Sequence, residues 1–340
     1  MLKIQRSKLK EFFDAISAKM PLYMPLKNGE QANYGKYTAG CEYDLDTLKT
    51  VKSPKDLFFP QSENMMKFRT EGKTIEIEDI RSEKEPFVLF GVKACDFKAF
   101  TVLDNVFLSE PVDTYYKARR EAGIVFTLAC GKPQESCFCT VFGIDATNPS
   151  GDATCWIDEE NLYVKANTEK GEQVLTLGKA FALECDEKAV DEIKANTKAI
   201  LEKLPFTHLD ISRFKPENLN ELFNLPVWNE LSEACLGCGA CTFVCPTCQC
   251  FDIRDFKTNK GVVRFRCWDS CMYSDFTQMA AANSRPTQMQ RYRQRFMHKL
   301  VYYPSQYGGT YSCVGCGRCV NKCPQHLNIV KVIKKIGGEK

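Results

Sequence analysis

The sequence predicts a mixed α+β and α/β chain: an N-terminal α/β domain over residues 1–205, a linker over 206–232, and a mostly helical, cysteine-rich domain over 233–340. Three observations carry this. Phe87-Val88-Leu89-Phe90-Gly91-Val92 and Ile124-Val125-Phe126-Thr127-Leu128 are short continuous apolar runs, the pattern of strands buried on both faces. A helical periodicity lies between them, so strand, helix and strand follow in the order that yields a parallel pair. Two cysteine runs of matching spacing occupy the C-terminal third.

Taken in order, residues 2–20 place Leu2, Leu9, Phe12, Phe13, Ile16 and Met20 at helical spacing, and Pro21 and Pro25 end the helix. A polar, turn-rich stretch follows, with Asn28-Gly29, Gly35 and Gly40. Ser53–Pro60 reads as a short ordered loop whose aromatics pack. Lys73–Ile80 alternates around Ile75, Ile77 and Ile80, as a strand does. After the Phe87–Val92 strand, Asp96 is the expected N-cap of a helix through Phe97, Phe100, Leu103, Val106 and Phe107. Leu162–Val164 and Val174–Leu177 read as strands flanking a turn at Gly171. Asp186–Leu204 reads as a helix with acidic residues first, ended by Pro205. Pro205, Pro216 and Pro226 mark the linker, which holds a short helix at Pro216–Phe223.

The C-terminal runs are Cys235-Leu-Gly-Cys238-Gly-Ala-Cys241-Thr-Phe-Val-Cys245-Pro246 and Cys313-Val-Gly-Cys316-Gly-Arg-Cys319-Val-Asn-Lys-Cys323-Pro324. Both read C-x2-C-x2-C-x3-C-P, the bacterial ferredoxin spacing for a 4Fe–4S cluster. Three thiolates come from one tight loop, and its glycines let the backbone wrap closely. The fourth ligates the other cluster. One 4Fe–4S cluster is therefore expected on Cys235, Cys238, Cys241 and Cys323, and a second on Cys245, Cys313, Cys316 and Cys319. Zinc sites pair C-x2-4-C with a distant second pair and do not place three cysteines within seven residues. The insertion 246–312 separates the runs.

Two further cysteine groups stand out. Cys95 and Cys130 lie just beyond the carboxyl ends of the two apolar strands, the sheet edge where α/β proteins build sites. Cys137-Phe138-Cys139 follows in the next loop. Cys95, Cys130, Cys137 and Cys139 are thus expected to hold a third iron–sulfur cluster, against the bland reading of small buried hydrophobes. In the insertion, Cys248, Cys250, Cys267 and Cys271 form a C-x-C and a C-x3-C that read as a further metal site or as packing thiols, with His298 an alternative to Cys267. Cys41, Cys155 and Cys185 read as core thiols.

Nineteen cysteines in 340 residues, with no signal-peptide pattern, favour metal ligation in a reducing cytoplasm over a disulfide framework. Oxygen-sensitive clusters would suit an anaerobic cell. No apolar stretch approaches the ~18 residues that would span a membrane. The formal charge of +3 falls towards neutrality once anionic clusters are added, which argues against nucleic-acid binding. The basic stretch Arg285, Arg291, Arg293, Arg295, His298 and Lys299 reads either as a solvated or docking helix face or as counter-charges to clusters. No G-x-G-x-x-G follows a strand and no phosphate-binding loop is present, so no flavin or nicotinamide is expected on this chain. A carrier of electrons with no place for two-electron organic chemistry needs partners.

Ala94-Cys95-Asp96, Cys137-Phe138-Cys139, Cys245-Pro246-Thr247-Cys248-Gln249-Cys250-Phe251, Trp268-Asp269-Ser270-Cys271, Arg291-Tyr292-Arg293 with His298-Lys299, and the final cysteine run together are recognisable. The combination resembles the beta subunit of cytosolic, sulfhydrogenase-type NiFe hydrogenases, and equally the iron–sulfur electron-transfer subunit of anaerobic sulfite reductases. The resemblance spans residues 86–326, and Cys267 falls outside it. It implies an electron-transfer subunit placed between a flavin-containing subunit that oxidises NAD(P)H and a catalytic hydrogenase or sulfite reductase subunit. A self-contained reductase with a catalytic N-terminal cluster, and a binding module with structural clusters only, are the competing classes.

Overall fold

In the computed structural model, residues 1–47, 49–80, 85–259 and 261–338 are described. An eight-stranded mixed sheet forms the N-terminal body. Its strands are β1 (Leu2–Gln5), β2 (Leu22–Asn28), β3 (Gln31–Lys36), β6 (Phe87–Val92), β7 (Gly123–Leu128), β8 (Ala153–Ile157), β9 (Asn161–Ala166) and β10 (Leu183–Glu184). Their order across the sheet is β10-β1-β9-β8-β7-β6-β2-β3. The central strands β2, β6, β7 and β8 are parallel, and the flanking pairs are antiparallel. Strand periodicity divides the apolar residues between two faces. Val88, Phe90, Ile124 and Phe126 meet helices α1 (Leu9–Ser17) and α4 (Glu169–Gly178). Phe87, Leu89 and Val125 meet α2 (Ala94–Phe107) and α3 (Thr114–Ala122), with Phe58 and Phe59 fully buried among them.

Several expectations are corrected. Leu2–Gln5 is a strand because it fills the slot between β9 and β10, and hydrogen bonding on both edges outweighs its helical spacing. Val174–Leu177 lies within α4: Thr168 caps the helix by accepting from Gly171 N at 3.2 Å, and Glu169 and Glu172 sit in its first turn. The helix after β6 begins at Ala94 with Lys93 as N-cap, so Asp96 lies inside its first turn. The Asp186–Leu204 segment is a 3-10 turn, Glu187–Val190, followed by α5 (Asp191–Glu202). Lys73–Ile80 holds the strand its alternation predicts, β5 (Thr74–Asp79), though it is exposed throughout and lies outside the main sheet.

The C-terminal part is not uniformly helical. The insertion between the cysteine runs opens with a hairpin, β11 (Phe251–Thr258) and β12 (Gly261–Trp268), which pairs with β4 (Ser62–Glu71) and β5 in a second, antiparallel sheet. The hairpin therefore ties the two halves together. Arg266, 2% exposed, bonds Glu63 at 2.6 Å and also Asp113. The rest packs short helices around a second core: α6 (Leu219–Phe223), α7 (Val227–Ser232), α8 (Ala240–Phe243), α9 (Gln288–Met297), α10 (Tyr303–Gln306), α11 (Arg318–Lys322) and α12 (Ile329–Gly337). A π-helical turn, His298–Tyr302, joins α9 to α10. Residues 206–232 are packed into this core through Phe214, Leu222, Trp228 and Leu231.

Candidate metal centres

The two ferredoxin-type loops adopt one conformation. Gly237 and Gly239 have φ of 65° and 72°, and Gly315 and Gly317 have 59° and 73°. This left-handed backbone is cheap only for glycine. Each loop turns into a one-turn helix, α8 or α11, and the fourth cysteine of each run lies beside the other run. A single cavity is lined by Cys235, Cys238, Cys241 and Cys323, three from the first run and one from the second. Gln288 Nε2 donates to Cys235 Sγ at 3.4 Å and Leu327 N to Cys323 Sγ at 3.3 Å. In the second group, Cys245 and Cys319 are electrostatic neighbours of both Cys313 and Cys316. The structure thus brings together the cysteines of each crossed-over set.

The N-terminal cysteines also meet. Cys95, Cys130, Cys137 and Cys139 line one small cavity, together with Cys316 and Arg318 from the second ferredoxin-type loop. The parallel β6 and β7 deliver Cys95 and Cys130 to one sheet edge, and Phe138 N donates to Gly315 O at 2.9 Å. The packing is tight: a Cβ on Gly315 would lie 2.4 Å from Phe138 O, and one on Gly317 2.2 Å from Ser136 O. Burial pushes the Cys130 thiol up to about 11 and Cys139 up to about 12. Thiols so placed stay protonated until a metal displaces the proton.

The insertion cysteines divide. The Cys248 thiol hydrogen-bonds Cys245, holding Cys245 well below its ordinary range. Cys250 and Cys271 are hydrogen-bonded to each other, and Cys248 is an electrostatic neighbour of Cys271. Cys267 is not with them. It stands on β12 in register with Asp252, and its charged neighbours are Arg254, Asp252 and Asp269. His298 faces Lys299 and Arg285 instead of the cysteines; burial, then those cations, depress it to about 4. Among the described residues, no three His, Cys, Asp or Glu groups converge closely enough to hold a single metal ion. Cys155 is fully buried, as a core thiol should be, whereas Cys41 and Cys185 are half-buried.

Buried cations surround these cysteines. Lys55 Nζ donates to the carbonyls of Cys245 and Cys248 at 3.0 and 2.8 Å and lies 3.8 Å over the Trp268 ring. Lys299 Nζ donates to Thr247 Oγ1 at 2.8 Å. Burial pulls the Lys299 ammonium down, but Cys245 and Cys248 overcome this and raise it. Arg295 donates to Cys241 O at 3.2 Å, yet its Nε and Nη1 are buried with no protein partner. The Tyr292 hydroxyl, beside the first cavity, is likewise unpartnered. Orphaned donors and unpaired cations facing four thiols fit an anionic cluster with sulfide acceptors. The basic stretch is thus not a solvated face: Arg291, Arg295 and Lys299 are buried. Charge and periodicity in the sequence miss Lys55, Lys93 and the Asp96–Arg318 pair, because each acts on cysteines far away in the chain.

The fold and sites invite comparison with known proteins. Residues 234–327 match the family described as the 4Fe-4S dicluster domain. The C-terminal region is a 4Fe–4S dicluster domain. Over its whole length the chain is similar to Sulfhydrogenase 2 subunit beta of Pyrococcus furiosus, 29% identical over 341 residues covering 98% of each protein. The resemblance carried by the cysteine and Trp-Asp-Ser-Cys motifs is therefore borne out: this is an iron–sulfur protein related to a hydrogenase beta subunit. Among the described residues, no helix is long and apolar enough to cross a membrane.

Proposed function

We propose that this chain is the electron-transfer component of a cytoplasmic, multisubunit oxidoreductase. It would pass single electrons between a flavin-containing subunit that oxidises NAD(P)H and a catalytic subunit of hydrogenase or sulfite reductase type. When bound, 4Fe–4S clusters supply one-electron exchange. The observation that carries the reading is that three four-cysteine sets adjoin in series. Cys241 of the first set neighbours Cys319 and Cys245 of the second. Cys316 of the second neighbours Cys95 and Cys139 of the third.

The first set reaches the surface, and the third is buried behind a wall it shares with an open cleft. Cys238 is exposed at one end. At the other, Lys49 and Arg318 line both the third cavity and an open polar cleft. A series exposed at one end and lying behind a cleft wall at the other suits a protein with a donor on one side and an acceptor on the other.

The test is iron and acid-labile sulfide per full chain, purified anaerobically, with EPR of the reduced sample. The reading expects about twelve irons, against about eight if only the dicluster domain is loaded. The double variant Cys137→Ser/Cys139→Ser should lose about four irons and keep the rest. Fewer than about eight in the wild type would overturn the relay. Residues 1–205 alone are not a fair test, because Cys316 and Arg318 wall the third cavity.

A further inference from the structure

Cys250 and Cys271 belong to none of the three sets. They sit where the hairpin closes onto the dicluster domain. Phe251 pairs with Trp268, Asp269 N donates to Cys250 O at 2.9 Å, and Cys271 follows two residues on. Their thiols are hydrogen-bonded to each other, and the Cys250 sulfur also accepts from the Cys271 backbone N–H. Cys271 is buried and Cys250 half-buried. Cys267, which could have joined them in a metal site, points to Arg254 and Asp252. Cys250 and Cys271 are left hydrogen-bonded to each other, with Cys248 the next thiol beside Cys271. Cys248 lies between them and Cys245 of the second set.

We propose that Cys250 and Cys271 form a reversible dithiol–disulfide couple, a two-electron store beside the one-electron relay. Their supply of electrons rests on the relay reading; their pairing does not. In the reducing direction, clusters bound by the neighbouring cysteine sets would supply two electrons one at a time, and two protons would come from solvent. The S–S bond breaks and two thiols result. In the oxidising direction the two thiols would lose two protons, the S–S bond would form, and the two electrons would pass one at a time to clusters bound by those sets. The thiol–thiol hydrogen bond brings the two sulfurs into contact, the first condition for such a bond. Lys55 and Lys299, whose charges bear on Cys250, favour the thiolate through which exchange proceeds. The couple would let a carrier of single electrons hold a pair for a partner whose chemistry takes two at once.

The experiment uses the full, anaerobically purified holoprotein. One sample is oxidised mildly and one reduced with dithionite. Both are acid-quenched, alkylated under denaturing conditions, digested and mapped by mass spectrometry, with iron and sulfide counted beforehand. The expected result is a peptide cross-linked through Cys250 and Cys271 in the oxidised sample, absent from the reduced one, at unchanged iron content. Cys250→Ser and Cys271→Ser should each abolish the cross-link and keep the wild-type iron. Alkyl label on both thiols after oxidation would overturn the proposal. So would a cross-link through Cys248, or iron loss in either variant, which would make these residues ligands. A low iron count in the wild type would instead sink the relay and leave the cross-link result standing.

Discussion

Arg318→Met should be the most informative single substitution. Arg318 donates to both oxygens of Asp96 at 2.6 and 2.8 Å and, through Nε, to Thr50 O at 3.2 Å. The paired side chains are 3% and 2% exposed. The pair joins the first turn of α2, next to Cys95, to the loop that carries Cys316 and Cys319. Two unit charges about 4 Å apart attract by about 4 kcal/mol at the effective dielectric of a protein site. Removing one partner strands the other in a dry site and costs about 3–5 kcal/mol. The double variant Asp96→Asn/Arg318→Met removes both charges and should recover most of that loss. The assay is urea unfolding of the anaerobic holoprotein across the double-mutant cycle, with iron counted in each variant. A loss below about 1 kcal/mol in the single variant would refute the reasoning, as would a double variant no better than the single. The first run carries Ala240 where the second carries Arg318, so only the second loop is clamped to the N-terminal body this way.

Four further substitutions have expected outcomes. Gly315→Ala should both destabilise the protein and lower its iron content, because its Cβ would meet Phe138 O at 2.4 Å. Gly308→Ala shares a φ of 59° but meets nothing within 4 Å, so it should cost only about 1–2 kcal/mol by urea unfolding and leave iron unchanged. His298 is held near 4 when folded against an ordinary value of 6.5, so below about pH 6.5 the unfolded chain binds the extra proton first. Stability should therefore fall as pH drops from about 6.5 towards 4, by about 3 kcal/mol from this residue. His298→Gln should flatten that slope in unfolding midpoints measured across the range; an unchanged slope would refute it. Cys267→Ser should leave iron, sulfide and EPR signals as in the wild type, and any loss of iron would return Cys267 to the ligands.

The parallel core was legible because Phe87–Val92 and Ile124–Leu128 are buried on both faces and so show unbroken apolar runs. The cysteine sets were legible because ligand spacing is a local property of each loop. Long-range pairing left no such mark. Leu2–Gln5 obeys a helical period, and only the gap between β9 and β10 makes it a strand. The β11–β12 hairpin is half polar because much of it is exposed, so its apolar pattern is faint, and its partner β4 lies far away in the chain. Val174 and Leu175 fit a strand or a helix equally, and the Thr168 cap decides between them. Cys267 shows the limit of counting cysteines: on a strand, neighbouring positions face opposite ways, and register alone turns it from Cys250 and Cys271.

The buried cations give the energetic reason for an iron–sulfur protein of this shape. Lys55, Lys93, Arg295, Lys299 and Arg318 are all at most 7% exposed. Among the described residues, Arg318 alone of these five has a carboxylate within salt-bridge distance. Lys93 faces Cys130 and Cys95, Arg295 faces Cys241, and Lys55 and Lys299 face Cys245 and Cys248. A cation buried without a counter-charge costs several kcal/mol, and protonated thiols return none of it. Thiolates fixed by a metal cluster would supply the missing negative charge at all three sets. Lys55 and Lys93 come from the N-terminal body, and Lys55 reaches across to carbonyls of the dicluster domain. Loading of the metal and closing of the two halves on each other are then coupled, because the same charges stabilise both.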